Sequence, residues 1–342
     1  MTRRGLVGGT VGVAAALGAA LGVSGRYGLG DEPDEERPAF PRSFEGAMPS
    51  FDGATGWINT APLSAAGLRG KVVVVEFWTF SCINWRRQLP YVRAWADRYR
   101  DRGLVVIGVH TPEFGFERDA ARVQRAADAM RITYPIAIDS SHAIWNAFHN
   151  LYWPALYFVD ARGRIRHHVF GEGEYDASER VIRQLLAEVG DRSAGGEPVA
   201  VEARGLEAAP DWDDLQTSEI YVGAARAAPP HDAWSTTGAW TIRRESAVGD
   251  EAGARIVVRF HARDLHIVMG PARAGAAVRV RITLDGAPLG AARGEDVAPA
   301  GDILVTEPRL YQVVRQPGPV RDREVELQLL EPGLEVFSFT FG

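Results

Sequence analysis

The chain of 342 residues contains one cysteine, Cys82. With no second thiol it can form no internal disulfide, and a cysteine-rich zinc site is excluded by the same count. What stays open to Cys82 is chemistry with another molecule, either a mixed disulfide or oxidation to a sulfenic acid. Long basic blocks are missing too. The 38 basic residues are scattered among 44 acids and the net charge is -6, so there is no footprint for a nucleic acid. No second long apolar run follows the N-terminal one, which argues against a channel or a multi-span transporter. Neither H-E-x-x-H nor a close Cys–His spacing occurs.

What is present begins with Arg3 and Arg4 before an apolar run from Leu6 to Val23, the layout of an export signal. "TRRGLV" resembles a twin-arginine signal, and the run is also long enough to act as an anchor. Residues 1–25 are therefore expected to be an export signal or membrane anchor. The remainder is expected to work outside the cytoplasm, membrane-anchored or secreted, touching the membrane only through that segment. A Pro-, Glu- and Gly-rich linker follows over 26–47. The length favours two domains, read as 48–190 and 216–342 with a linker over 191–215.

The first domain opens on "VVVVEFW" (72–78), whose successive valines predict a buried central strand. A helix is expected from about Cys82 to Arg100, kinked at Pro90. A second buried strand (104–110), a helix (118–130), a short strand and a short helix follow. A hairpin (155–160 and 164–170) and a closing helix (178–189) complete a βαβαβ, α, ββα order. That is an α/β sandwich with a mixed sheet. From residue 220 onward short alternating strands and turn signals such as Asp285–Gly286 predict an antiparallel β-sandwich.

A cysteine that ends a buried strand and opens a helix faces unpaired backbone N–H groups, which lower a thiol pKa. Glu76 lies inside the valine strand, where a carboxylate is costly unless paired or functional. Beneath Cys82 it would be a proton acceptor, and at a sheet edge merely a surface residue. Pro154 stands just before a strand, and a cis bond would place the Trp153 backbone beside the cysteine. Trp78, Trp85 and Trp153 would form an aromatic rim around the thiol, or simply pack.

These segments together resemble the thioredoxin fold (redoxin- or TlpA-like), and in particular the soluble C-terminal region of DipZ-type cytochrome c biogenesis proteins. The likeness is carried by "VVEFWTFSCINWRRQLPYVRAW", "VVIGVHTPEFGFE", "IWNAFHNLYWPALYFVDARGRIRHHVFGEGEY" and the tail "EPGLEVFSFTFG". It implies a thioredoxin-like α/β domain followed by a jelly-roll-like, carbohydrate-binding-like sandwich. By that resemblance Cys82 matches the attacking cysteine, Pro154 the cis-proline that receives substrate backbone, and Glu76 the buried acid. Trp85 stands where the family has its resolving cysteine, so the usual dithiol cycle is not available.

Two functions stay open. In one, Cys82 is a lone nucleophile on a protein or small-molecule disulfide or a peroxide, resolved by an external thiol. Thr79, three residues before Cys82, is similar to the Thr-x-x-Cys of peroxiredoxins, with Arg86 or Arg87 as the polarising arginine. In the other, a retired redox fold serves as a scaffold, with Trp85 filling the groove. The sandwich then binds a glycan or a protein, through aromatics such as Trp234, Trp240 and Tyr311. No cofactor is expected. A metal site among His110, His142, His149, His167 and His168 has only family analogy behind it.

Overall fold

The computed structural model describes residues 45–191, 196–226 and 233–342. The expected signal over 1–25 and nearly all of the linker over 26–47 lie outside them. The first domain runs β1 (Gly46–Ala47), β2 (Gly56–Ile58), β3 (Val72–Trp78), α1 (Ile83–Tyr99), β4 (Leu104–His110) and α2 (Ala120–Ala129). It continues through β5 (Ile136–Ile138), α3 (Ala143–Ala147), β6 (Ala155–Val159), β7 (Arg164–Phe170) and α4 (Tyr175–Glu188). The strands form one mixed sheet in the order β1-β7-β6-β3-β4-β5-β2. β3 sits at its centre, parallel to β4 and antiparallel to β6.

Every residue of β3 is buried because both faces of the sheet are covered. Alternation then sorts its side chains. Val73, Val75 and Phe77 join Ile144 and Trp145 of α3. Val72, Val74 and Trp78 join α1, α2 and α4 through Trp85, Leu89, Val123 and Leu185. Glu76 shares the parity of Val74 and Trp78, so the pleat aims it under α1. As expected, α1 spans nearly the whole Cys82–Arg100 stretch, running through Pro90 to Tyr99. Leu89, Val92 and Trp95 are completely buried around the proline, so packing offsets the one helix hydrogen bond that Pro90 cannot donate.

The second part contains β8 (Ile220–Tyr221), β9 (Trp234–Thr237), β10 (Trp240–Ile242), β11 (Ala247–Gly249), β12 (Arg255–His261) and β13 (Asp264–Pro271). β14 (Val278–Leu284), β15 (Asp302–Val305), β16 (Arg309–Arg315), β17 (Asp322–Leu329) and β18 (Leu334–Phe341) complete it. Two antiparallel sheets, β10-β11-β18-β13-β16 with β8 on β18, and β15-β14-β17-β12-β9, enclose one apolar core. β14 shows the period of a half-buried strand, with Val278, Val280, Ile282 and Leu284 inward and Arg279 and Arg281 outward. β13 and β18 differ, being buried almost throughout. Their second face lies on the first domain. Val268, Phe337 and Leu310 form an apolar cluster with Ile83 and Phe114. Among the described residues no helix is long and apolar enough to cross a membrane.

Candidate functional site

Cys82 occupies the N-cap of α1 with extended backbone angles, φ -76° and ψ 117°. It is partly exposed. Its Sγ lies 3.9 Å from the Trp153 carbonyl oxygen, and the Trp153–Pro154 peptide is cis. The Trp153 indole donates to the Thr111 carbonyl at 3.0 Å, which ties the two loops that flank the thiol.

Glu76 is fully buried and does not reach the thiol. Its Oε1 accepts the Trp85 indole N–H at 2.9 Å and the Gln88 amide at 3.1 Å. Its Oε2 accepts the Tyr134 hydroxyl at 2.8 Å. Burial pushes its carboxyl up to about 7, against the pull of those three hydrogen bonds. Trp85 is therefore neither at the rim of the thiol nor in a surface groove. It is completely buried, stacked on Trp78 with ring centroids 4.3 Å apart. The expected rim of three tryptophans reduces to Trp153, because the helical step from Cys82 to Trp85 points the latter into the core.

A second buried acid escaped the sequence reading. Glu117 accepts the Ser81 hydroxyl at 2.5 Å and the backbone N–H groups of Glu113 and Phe114 at 2.7 and 3.0 Å. It thus pins the residue before Cys82 to the loop after β4. Burial, and then the charge of Glu113, push its carboxyl up to about 7.

The β-sandwich completes the surroundings. Glu113 accepts from Tyr221 at 2.8 Å and pairs with Arg226 at 2.7 Å. Gly115 donates its N–H to Glu245 at 2.8 Å. Arg87 binds Glu172 at 2.9 Å and the carbonyl of Phe341 at 3.0 Å. The consequence for the thiol reverses the expectation. Burial and the charge of Glu113 push the Cys82 thiol well above its ordinary value, with Glu219 and Glu172 adding to the rise. One backbone N–H bond from Trp85 opposes them. The helix start does act as expected, but desolvation and carboxylates outweigh it. The signal for this seam was the adjacent apolar pair Val336–Phe337 in β18, whose side chains enter the sandwich core and the cluster with the first domain respectively.

The other expected residues fall elsewhere. Thr79 is buried with its hydroxyl 3.5 Å from His110 Nε2. Arg87 is taken up by Glu172 and Phe341, and Arg86 lines a separate cavity. Tyr311 is buried, while Trp234 and Trp240 pack half-buried on the sandwich core, so the three make no exposed aromatic platform. Burial pushes His110 down to about 3. Among the described residues no group of three or more His, Cys, Asp or Glu side chains is placed to hold a metal.

Two family models match the chain. One described as the AhpC/TSA family covers residues 45–168, and one described as a thioredoxin-like C-terminal domain covers 214–342. Protein DipZ of Mycobacterium bovis is 35% identical over 325 residues, which is 87% of this chain and 43% of DipZ. The chain thus spans less than half the length of that relative. Thiol-disulfide oxidoreductase YkuV of Bacillus subtilis is 33% identical over 141 residues, 41% of this chain and 95% of YkuV. A solution structure of a thioredoxin-like protein in the oxidised form is 33% identical. It covers 42% of this chain and 96% of its own, with a TM-score of 0.39.

Proposed function

Since the chain belongs to the thioredoxin-like family and its homology extends to DipZ, we propose that it is an extracytoplasmic redox protein whose Cys82 acts as a lone nucleophile. The observation that carries this reading is the placement of Cys82, partly exposed at the start of α1 and 3.9 Å from the Trp153 carbonyl. Trp85, the residue one helical turn on, is sealed in the core. The Cys82 thiolate attacks one sulfur of a disulfide R–S–S–R′. A Cys82–S–R bond forms, and R′S⁻ leaves with the electron pair of the broken bond. An external thiolate R″S⁻ then attacks the R sulfur, R–S–S–R″ departs, and the Cys82 thiolate returns. Its proton exchanges with solvent, because Glu76 is engaged with Trp85, Gln88 and Tyr134. Pro154 holds the Trp153 carbonyl at the thiol for substrate backbone. Glu76 and Trp85 are positioning residues that fix α1.

A disulfide suits the site better than a peroxide, since Arg87 is committed to Glu172. The domain division at 48–190 and 216–342 and the jelly-roll-like character of the sandwich belong to the same reading.

An aromatic disulfide such as dithiobis-nitrobenzoate, followed by intact-mass spectrometry, tests it. The expected product is one adduct on Cys82 that persists until a small thiol is added, and that Cys82→Ser lacks. A second reading, a retired redox fold kept as a scaffold, is favoured by the raised thiol pKa and the carboxylates around it. Failure of any adduct to form above about pH 9, where even an unperturbed thiol ionises, would establish that second reading in place of the first.

A further inference from the structure

Between the two domains lies a cavity of about 340 Å³, distinct from the thiol site. Four arginines line it: Arg86 of α1, Arg122 and Arg125 of α2, and Arg309 at the start of β16. Among the described residues Glu307 is the one acidic side chain on its wall. The rest of the lining is largely apolar, with Phe80, Met130, Leu206 and Pro308 prominent.

Among the described residues Arg86 makes no ion pair, and the carboxylates of Glu207 and Asp296 act on it only through space. The neighbouring cations are satisfied, Arg93 by Glu207 at 2.7 Å and Arg309 by Asp296 at 2.7 Å. Arg86 lies within electrostatic reach of both pairs, and among the described residues its buried Nε has no hydrogen-bond partner. Burial pulls its guanidinium below its ordinary value, and Arg93 and Arg309 add to that pull, against the opposing charges of Glu207 and Asp296. Among the described residues Arg125 likewise makes no ion pair. It lies exposed at the mouth. A guanidinium that is desolvated and left unpaired is costly unless an anion meets it, and its planar fork matches a phosphate or carboxylate with two parallel hydrogen bonds.

We infer that this interdomain cavity is a binding site for a small organic anion, with a phosphate or carboxylate head on Arg86 and an apolar body against Phe80, Met130 and Leu206. The volume accommodates a single substituted ring or a short chain, not a polymer. The site does not depend on what Cys82 does. By joining α1, α2 and the β16 turn, an occupant would hold the two domains together.

Isothermal titration of the full chain at low ionic strength tests this with phenyl phosphate, phenylpropionate, inorganic phosphate and benzyl alcohol. Phenyl phosphate or phenylpropionate should bind, and the stronger of the two identifies the head group. Benzyl alcohol should not bind, and inorganic phosphate should bind at least about tenfold more weakly than the ring-bearing anion. Arg86→Met should weaken binding by about tenfold or more, the loss of a charge-assisted hydrogen bond, while leaving unfolding of the free protein unchanged or shifted upward. Arg125→Glu, at the exposed mouth, serves if the first variant folds poorly, and should weaken binding about fivefold. No heat from either ring-bearing anion at millimolar concentration, equal binding by inorganic phosphate, or undiminished binding by both variants would overturn the site.

Discussion

Beneath helix α1 and at its N-terminal end the molecule solves two different problems with carboxylates. Beneath the helix, Glu76 lies in an apolar core and both its oxygens are occupied by Trp85, Gln88 and Tyr134. Near the helix start, Glu113 and Glu117 belong to a seam whose other side is the β-sandwich, through Tyr221, Arg226 and Phe337. The first region is closed and self-contained. The second depends on residues more than a hundred positions away. In the core, Trp85 is held by a hydrogen bond to Glu76 and a ring stack on Trp78. At the seam, burial and the carboxylates of Glu113, Glu219 and Glu172 hold the thiol of the single cysteine well above its ordinary value.

The comparison breaks most visibly at Trp85. Trp85→Ala removes a fully buried indole and one donor to Glu76, and should cost about 4 kcal/mol in urea unfolding. A loss below about 1 kcal/mol would mean the core network is not what stabilises α1. Phe337→Ala at the seam should cost about 3 kcal/mol and speed alkylation of Cys82. Unchanged alkylation would show that the sandwich does not shield the thiol.

Glu76 sharpens the comparison through pH. Its folded pKa is raised from 4.5 to about 7, so its contribution is fully present below the unfolded value and lost as pH rises through 7. Glu76→Gln removes that dependence. Relative to the natural chain, the variant should gain up to about 3 kcal/mol between about pH 5 and pH 8. A constant difference across that window would contradict a buried, titrating carboxyl. The smallest effect is expected at Glu113. Glu113→Gln deletes a negative charge near the thiol and keeps an acceptor for Tyr221. It should lower the thiol pKa and raise the alkylation rate near pH 8 about threefold. A slower rate would remove Glu113 from the list of groups that restrain the thiol.

Much of the first region was legible from the chain. The valine run gave a central strand, the strand–Cys–helix order gave the N-cap, and the parity of β3 is enough to bury Glu76. The second region was not. Tyr221, Arg226, Glu172 and Phe341 reach the thiol's surroundings from separate loops and strands, and no local spacing encodes their meeting. The acidity of Cys82 was misjudged for this reason: a helix start can be read locally, whereas desolvation and distant carboxylates cannot. Of the two readings left open for Trp85, rim or packing, helix phase chose packing in the core.

By itself, then, the sequence determined that the one thiol has no internal partner, that a buried strand delivers it to a helix start, and that an α/β unit precedes an antiparallel sandwich. These follow from composition and periodicity, which act over a few residues. Only the tertiary structure decided that Trp85 bonds Glu76 in the core, that the sandwich closes on the cysteine loop, and that Arg86 faces a cavity between domains. Those outcomes depend on the packing of elements far apart in the chain, where burial and charge act through space.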